Sequence, residues 1–145
     1  MKALTLYQPW ASLVAIGAKR IETRTWKTTY RGPLAVHAAR CIPKPYLFHS
    51  HSDFELRLLR LASAAAASDR NEFPRGAVLC ICELVDCTPT TSFSPYFVEQ
   101  LYGDFTPGRW AWMLQLREIF TKPIPARGGR RIWEWDEGHN VAVGR

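Results

Sequence analysis

The sequence of 145 residues lacks any apolar run approaching the roughly 20 residues that a membrane-spanning helix needs. Its opening, MKALTLYQPW, has neither the apolar core nor the small-residue cleavage site of a secretory signal. We therefore expect a cytoplasmic protein with no membrane partner. The length is that of one ordinary domain, and no low-complexity linker or internal repeat divides it. The sequence predicts a single domain over residues 1–145.

Cysteine is scarce, with four residues in all, and their spacing is not that of a zinc site. Structural zinc clusters pair cysteines two to four residues apart and need four ligands. Cys80 and Cys82 lie in the apolar run AVLCICELV, where strand alternation puts both thiols on one face. His49 and His51 have no cysteine or carboxylate cluster close to them in the sequence. We predict buried, reduced thiols at Cys80 and Cys82, no metal site and no cofactor.

Acidic residues are fewer than basic ones: the sequence has 13 Asp and Glu and 19 Lys and Arg, which gives a net charge of +6. Such an excess favours an anionic partner, and nucleic acid is the commonest one for a small soluble chain. A net charge of this size also serves solubility alone. The placement of the charges has to decide between these two interpretations.

Hydrophobic patterning predicts about six short strands with helices inserted between them. One helix follows Pro9 and ends at Gly17, a second begins at the capping box of Ser52 and Glu55, and a short third lies in SPYFVEQLYG. Inserted helices among non-repeating strands indicate an α+β fold, with the strands curled into a small barrel. The predicted strands begin in LTLYQPW, KRIETRTW, RGPLAVHAA, AVLCICELV, RWAWMLQLREIF and RRIWEWD.

The stretch KRIETRTW crowds charges of both signs onto one short strand. Its alternation places Glu22 and Arg24 on one face, and Lys19 directly precedes them. This pattern by itself is typical of a charged strand facing water, and it also fits a polar pocket. Six tryptophans bear on the choice, because aromatic faces beside arginines hold unstacked bases. Pairs of this kind are Arg24 with Trp26, Arg109 with Trp110, and Arg131 with Trp133.

The segment QPWASLVAIGAKRIETRTWKTTYRGPLAVHAA resembles the signature of the ASCH family (activating signal cointegrator homology). Its most specific part is the run G-x-K-x-x-E-x-R at Gly17, Lys19, Glu22 and Arg24. FPRGAVLCICELVDC, GRWAWMLQL and IPARGGRRIWEWD are similar to later strands of that family, so the likeness spans nearly the whole chain. The resemblance implies a β-barrel of the PUA-like superfold, related to domains that bind RNA. It also implies a ligand cleft beside the first helix and the strand that follows it.

Three functions fit this cleft, and the first is a binding module. The partner would be RNA or another single-stranded nucleic acid, DNA or a modified nucleoside, bound by a monomer. Arginines would contact phosphates, a tryptophan would stack on a base and Gln8 would read a base edge. The predicted ligand-binding residues are Gln8, Trp10, Lys19, Glu22, Arg24, Trp26, Arg31, Arg109, Arg127, Arg130 and Arg131.

The second function is an amidohydrolase. Small bacterial ASCH proteins with a similar K-x-x-[T/E]-x-R run deacetylate acetylated cytidine with a lysine, a threonine and a downstream glutamate. The resemblance assigns Lys19 to the lysine and Glu99 to the glutamate. Glu22 stands in the place of the threonine, and Thr23 points to the opposite strand face. Glu22 would therefore have to act as a general base on water, with Lys19 stabilising an oxyanion.

The third function is a ribonuclease, an activity that some ASCH proteins have. A lysine, a tyrosine such as Tyr30, and a serine or histidine would cleave beside a 2′-hydroxyl. The sequence offers no paired catalytic histidines, and His37 within LAVHAA fits a satisfied strand residue. A scaffold without chemistry is a fourth role that such a fold permits. We predict nucleic-acid or nucleotide binding, with the two enzymes as alternatives.

Overall fold

The computed structural model describes residues 1–41, 73–94 and 98–137, and this part of the chain is mostly β. Within these three ranges, helix is limited to α1 (Trp10–Ala15) and two 3₁₀ helices, Thr90–Ser92 and Val98–Tyr102. The six strands in chain order are β1 (Lys2–Leu6), β2 (Ile21–Arg24), β3 (Gly32–Ala38), β4 (Ala77–Pro89), β5 (Trp110–Pro125) and β6 (Ile132–Glu134).

The prediction of six strands is confirmed, and the predicted flanking helices are confirmed only in part. The first helix is present, and Gly17 follows it with a φ of +78°, as expected for a residue that ends a helix. The short helix predicted in SPYFVEQLYG is the 3₁₀ helix Val98–Tyr102. The helix predicted from Ser52 lies outside the described residues. No described helix has the length and apolar character needed to cross a membrane.

The strands form one sheet in the order β2-β5-β4-β3-β1-β6. β1 pairs with β3 in parallel, and the other neighbours are antiparallel. The register between β4 and β5 shifts at three places along their length. Irregularities of this kind bend a strand and increase its twist. The long β4–β5 pair therefore curves, and the sheet curls into a half-barrel.

The curl brings the two edges of the sheet, β2 and β6, towards each other. Arg24 of β2 donates from Nη2 to the carbonyl oxygen of Thr5 in β1, at 2.8 Å. Arg131, just before β6, places its guanidinium carbon 4.1 Å from the ring centroid of Trp26, just after β2. Side chains therefore connect the β2 edge to the opposite end of the sheet.

The core of the half-barrel is apolar and tightly covered. Trp112 of β5 lies at its centre, fully buried with aliphatic side chains of β1, β3 and β4. Five of the six residues of α1 are buried, and the helix packs against β3 and β4. Cys80 and Cys82 are buried and free, which confirms the predicted reduced thiols.

Candidate functional site

A cleft of about 1640 Å³ opens beside β2, and we call it the arginine cleft. Its walls come from β2, from the C-terminal ends of β1 and β3, and from residues 126–131, which we call the arginine turn. Among the described residues that line it, Glu22 is the one carboxylate and six are arginines. A concave surface with one sign of charge concentrates ligands of the opposite sign. The arginines are Arg24, Arg40, Arg109, Arg127, Arg130 and Arg131.

Glu22 and Arg24 reach the cleft because β2 alternates as predicted, with Ile21 and Thr23 buried on the other side. Arg24 is held by its bond to Thr5, while its Nε–H is buried and has no hydrogen-bond partner among the described residues. Glu22 is held locally, since its Oε1 accepts the N–H of Thr23 at 2.7 Å. Contacts within the protein therefore hold both side chains at the wall of the cleft.

Trp26 and Arg131 are stacked inside the cleft. The guanidinium of Arg131 lies over the Trp26 ring, and Arg131 itself adopts a φ of +54°. Trp112 meets Trp26 edge to face at 4.5 Å and donates from Nε1 to its carbonyl oxygen. Contacts between arginine and tryptophan faces are attractive, so the stack is pre-arranged. The surface that the stack exposes is the Arg131 guanidinium, because Arg131 is exposed and Trp26 is half-buried.

The arginine turn packs closely on the ends of β1 and β3. A Cβ added to Gly128 would lie 2.6 Å from His37 Cε1, and one added to Gly129 would lie 2.6 Å from Trp133 Cγ. His37 Nε2 lies 3.0 Å from the carbonyl oxygen of Ala126. Only glycine fits at such a close approach. The turn is therefore fitted against His37 and Trp133.

Lys19 does not line the cleft. The residue is 1% exposed, and its ammonium donates to the carbonyl oxygens of Ile21 and Tyr102, both at 2.6 Å. Glu22 Oε1 lies 4.0 Å away from Nζ. Burial lowers the pKa of Lys19, and the nearby carboxylates of Glu22 and Glu99 oppose that shift. The lysine satisfies carbonyls of β2 and of the 3₁₀ helix Val98–Tyr102.

Arg109, like Lys19, donates hydrogen bonds to backbone carbonyl oxygens at the β2 edge of the sheet. It donates from Nη2 to the carbonyl oxygen of Thr23 at 3.2 Å and from Nε to that of Asp104 at 2.9 Å. Arg109 also lines the cleft. Cationic side chains therefore cover backbone acceptors of β2, which protects an edge strand from pairing with another chain.

Glu99 also lies outside the cleft lining. Its carboxylate is buried and accepts the backbone N–H of Arg20 at 3.0 Å and the Arg20 Nε–H at 3.0 Å. The three residues considered for hydrolysis thus face different surroundings, with Glu22 in the cleft, Lys19 behind it and Glu99 on the Arg20 backbone.

Gln8 and Arg31 are the other predicted ligand-binding residues that do not line the cleft. Gln8 accepts the N–H of Ser12 and donates to Ser12 Oγ and to the carbonyl oxygen of Pro74, so it closes the start of α1. Arg31 pairs with Asp86 at 3.1 Å. The predicted residues that the structure brings together are Trp10, Glu22, Arg24, Trp26, Arg109, Arg127, Arg130 and Arg131.

The ribonuclease candidates are also separated. The Tyr30 hydroxyl donates to the carbonyl oxygen of Pro33 at 2.6 Å, and Tyr30 does not line the cleft. His37 does line it, as the one histidine among the described lining residues. Within the described ranges, no group of three or more histidine, cysteine or acidic residues could hold a metal ion.

Sequence reasoning missed several lining residues, among them Thr5, Tyr7 and Arg40, and it placed His37 outside the site. A usable signal exists for two of them, because Tyr7 and Arg40 each follow a buried strand at its C-terminal end. β1 and β3 are parallel, so these ends meet at one edge of the half-barrel. The parallel pairing itself is not visible in the sequence.

Comparison with known proteins agrees with the signature found in the sequence. The model of the ASCH domain family matches residues 4–124. "Activating signal cointegrator 1" from Homo sapiens is 30% identical over 133 residues, which is 92% of this chain and 22% of that protein. The Mus musculus protein of the same name is 29% identical over the same shares. The chain thus spans about a fifth of the length of these relatives. The chain belongs to the ASCH domain family.

Proposed function

We propose that the arginine cleft binds single-stranded nucleic acid, with RNA as the preferred class, and that the half-barrel has the PUA-like form that the family resemblance implies. The observation that carries this proposal is the joint presence of six arginines and the Trp26–Arg131 stack in one cleft. The arginines fit a phosphate backbone, and the stack fits an unpaired base.

The charge of the lining supports a polyanion. Guanidinium groups bind phosphate oxygens through two parallel hydrogen bonds, and they stay charged at any physiological pH. Arg24 lines the cleft, and Arg127 and Arg130 line it with exposed side chains. Glu22 is half-buried, and the Lys19 ammonium 4.0 Å from its Oε1 offsets the negative charge that it brings to the lining.

The shape of the site supports a single strand. Bases in a duplex are stacked on one another, whereas unpaired bases can stack on arginine and aromatic planes. Arg131 offers such a plane on the Trp26 ring. The cleft volume of about 1640 Å³ also exceeds the roughly 300–1,000 Å³ of small-molecule pockets. An oligonucleotide therefore fits better than a free nucleoside.

The surroundings of Lys19 and Glu99 favour binding over deacetylation. An oxyanion stabiliser has to point its donor at the reacting oxygen. Lys19 instead points its ammonium at two backbone carbonyls, and Glu99 accepts from Arg20. Neither residue lines the cleft in which a substrate would lie.

The test is a salt titration of binding, measured by fluorescence anisotropy with a labelled single-stranded RNA of about ten nucleotides. The logarithm of affinity should fall linearly with the logarithm of salt, with a slope of about 0.7 for each phosphate neutralised. The double variant Arg127→Ala/Arg130→Ala should lower this slope by about 1.4 because two phosphate contacts are lost, while the Trp26–Arg131 stack stays in place. Duplex RNA of the same sequence should bind more weakly.

The matched control removes two exposed cations outside the cleft, Arg117 and Lys122 of β5. Arg117→Ala/Lys122→Ala has the same net charge as the test variant and should keep the wild-type slope. Equal loss in both double variants, or salt-independent binding, would contradict the proposal. Acetate release from acetylated cytidine, or shortening of the RNA, would show one of the two enzymes instead.

A further inference from the structure

The arginine turn carries three of the six cleft arginines. Its first residue, Ala126, is hydrogen-bonded through both its N–H and its carbonyl oxygen. The N–H of Ala126 donates to the carbonyl oxygen of Gly76 at 3.0 Å. The carbonyl oxygen of Ala126 lies 3.0 Å from His37 Nε2. Arg127 and Arg130, which follow Ala126, are exposed. The position of these side chains therefore depends on how Ala126 is held.

The hydrogen-bond network assigns the proton positions on His37. A carbonyl oxygen can only accept, so Nε2 must carry a hydrogen and donate to Ala126. Nδ1 of the neutral ring is then an acceptor, and the Thr5 hydroxyl 3.2 Å away donates to it. Thr5 Oγ1 in turn accepts the Nε1–H of Trp133 at 3.1 Å. Three bonds in series thus connect β6, β1 and β3 to the arginine turn.

Packing reinforces this series of bonds. The rings of His37 and Trp133 meet edge to face, with centroids 5.6 Å apart. Gly128 and Gly129 lie so close to these two rings that neither has room for a Cβ. His37 is 1% exposed, and burial lowers its pKa, which favours the neutral ring that the network requires. Both ring nitrogens are occupied, so His37 itself has no donor left for a ligand.

We propose that His37 is the positioning residue of the arginine turn, and that its bond to Ala126 sets where Arg127 and Arg130 meet a phosphate backbone. This inference rests on the proposed function for its binding readout, while the holding of the turn can be measured without any ligand. It assigns His37 to the site without making it a catalytic residue.

Two substitutions distinguish the hydrogen bond at Nε2 from the one at Nδ1. In His37→Gln the amide nitrogen reaches the position of Nε2 and keeps a donor for Ala126. In His37→Asn the shorter side chain reaches only the level of Nδ1 and Thr5. We expect His37→Asn to weaken binding of the single-stranded RNA by about tenfold or more and to lower its salt slope by about 1.4. His37→Gln should restore most of both.

A third variant acts from the other side of the contact and leaves His37 in place. The Cβ of Gly128→Ala would lie 2.6 Å from His37 Cε1 and must displace the turn. It should reproduce the reduced salt slope of His37→Asn. A general loss of stability moves the unfolding midpoint but does not change the number of phosphates that the folded protein contacts. Circular dichroism and urea unfolding identify the fraction folded in each variant.

Amide hydrogen exchange at Ala126 is the ligand-free readout. Exchange should be faster in His37→Asn and Gly128→Ala than in the wild type and His37→Gln. Faster exchange in a protein that binds no RNA would support the positioning role and refute the proposed function. RNA binding with an unchanged salt slope and unchanged exchange in His37→Asn would overturn the positioning role alone. Equal loss of binding in His37→Gln and His37→Asn at an unchanged slope would also overturn it.

Discussion

Replacing Lys19 with methionine tests whether this lysine serves the fold or the chemistry of the cleft. The ammonium lies beside β2, at the edge of the sheet, and gives charged hydrogen bonds to the carbonyl oxygens of Ile21 and Tyr102. Methionine keeps a long flexible stem and provides no donor. The substitution therefore removes two interactions and changes the packing volume little.

The expected magnitude follows from two opposing terms. Loss of a charged donor to a buried acceptor costs about 1–3 kcal/mol, and Lys19→Met affects two acceptors. The variant also no longer has to bury an ammonium, which returns several kcal/mol at most. We expect the free energy of unfolding to fall by about 2–3 kcal/mol. For a domain of this size, that corresponds to a Tm lower by roughly 5–10 °C.

Urea unfolding, followed by tryptophan fluorescence, measures this difference. Lys122→Met, on the exposed face of β5, is the control and should stay within about 0.5 kcal/mol of the wild type. A second signature is the pH dependence. Since burial lowers the pKa of Lys19 below its ordinary 10.5, the unfolded chain holds the proton longer as the pH rises. The stability of the wild type relative to Lys19→Met should therefore increase towards pH 10.5.

One result would refute this reasoning about Lys19. If Lys19→Met is as stable as the wild type, or more stable, the two carbonyls do not depend on the lysine. Burying the Lys19 ammonium would then destabilise the fold and would serve a function other than folding, and the hydrolase alternative would regain support.

Two further predictions concern the arginine turn and its support. Burial lowers the pKa of His37, the hydrogen bond to the Ala126 carbonyl opposes this shift, and the charge of Arg40 adds to it. Because the folded protein then binds the proton less readily than the unfolded chain, His37 contributes stability that is present above pH 6.5 and lost as the pH falls further. Tm measured against pH should show this loss in the wild type and a flatter profile in His37→Gln, and parallel profiles would contradict it. Gly129→Ala should lower the free energy of unfolding by about 1–3 kcal/mol because its Cβ would overlap the Trp133 side chain. Thermal unfolding checks this against Arg127→Ala in the same turn, and equal stability of the two variants would count against the close packing.

Much of the local structure could be predicted because it depends on neighbouring residues. Strand alternation in KRIETRTW placed Glu22 and Arg24 on one face, and both line the cleft. The end of α1 followed from Gly17, whose positive φ few other residues adopt. The buried thiols of Cys80 and Cys82 followed from their place in an apolar strand. Each of these features is a property of a few consecutive residues.

Whether a polar side chain is buried or exposed in the cleft was harder to predict than the face of the strand on which it lies. Lys19 belongs to the most specific run of the family signature, yet its ammonium lies behind the cleft because two carbonyls surround it. Gln8 was expected to read a base, and its amide instead closes the start of α1. A polar side chain can be buried where buried acceptors satisfy its donors. For Lys19 and Gln8 these acceptors include the carbonyl oxygens of Tyr102 and Pro74, which are distant in the sequence.

By itself, the sequence determined the number of strands, the excess of positive charge, the family, and the charged residues of β2. Periodicity and composition are local properties, and no knowledge of pairing is needed to interpret them. Tertiary structure alone decided which residues meet. Arg131 stacks on Trp26, and His37 supports the arginine turn, because the sheet order β2-β5-β4-β3-β1-β6 brings segments from both ends of the described chain to one cleft. That order is set by burying the apolar face of the whole sheet at once, which no single segment of the sequence specifies.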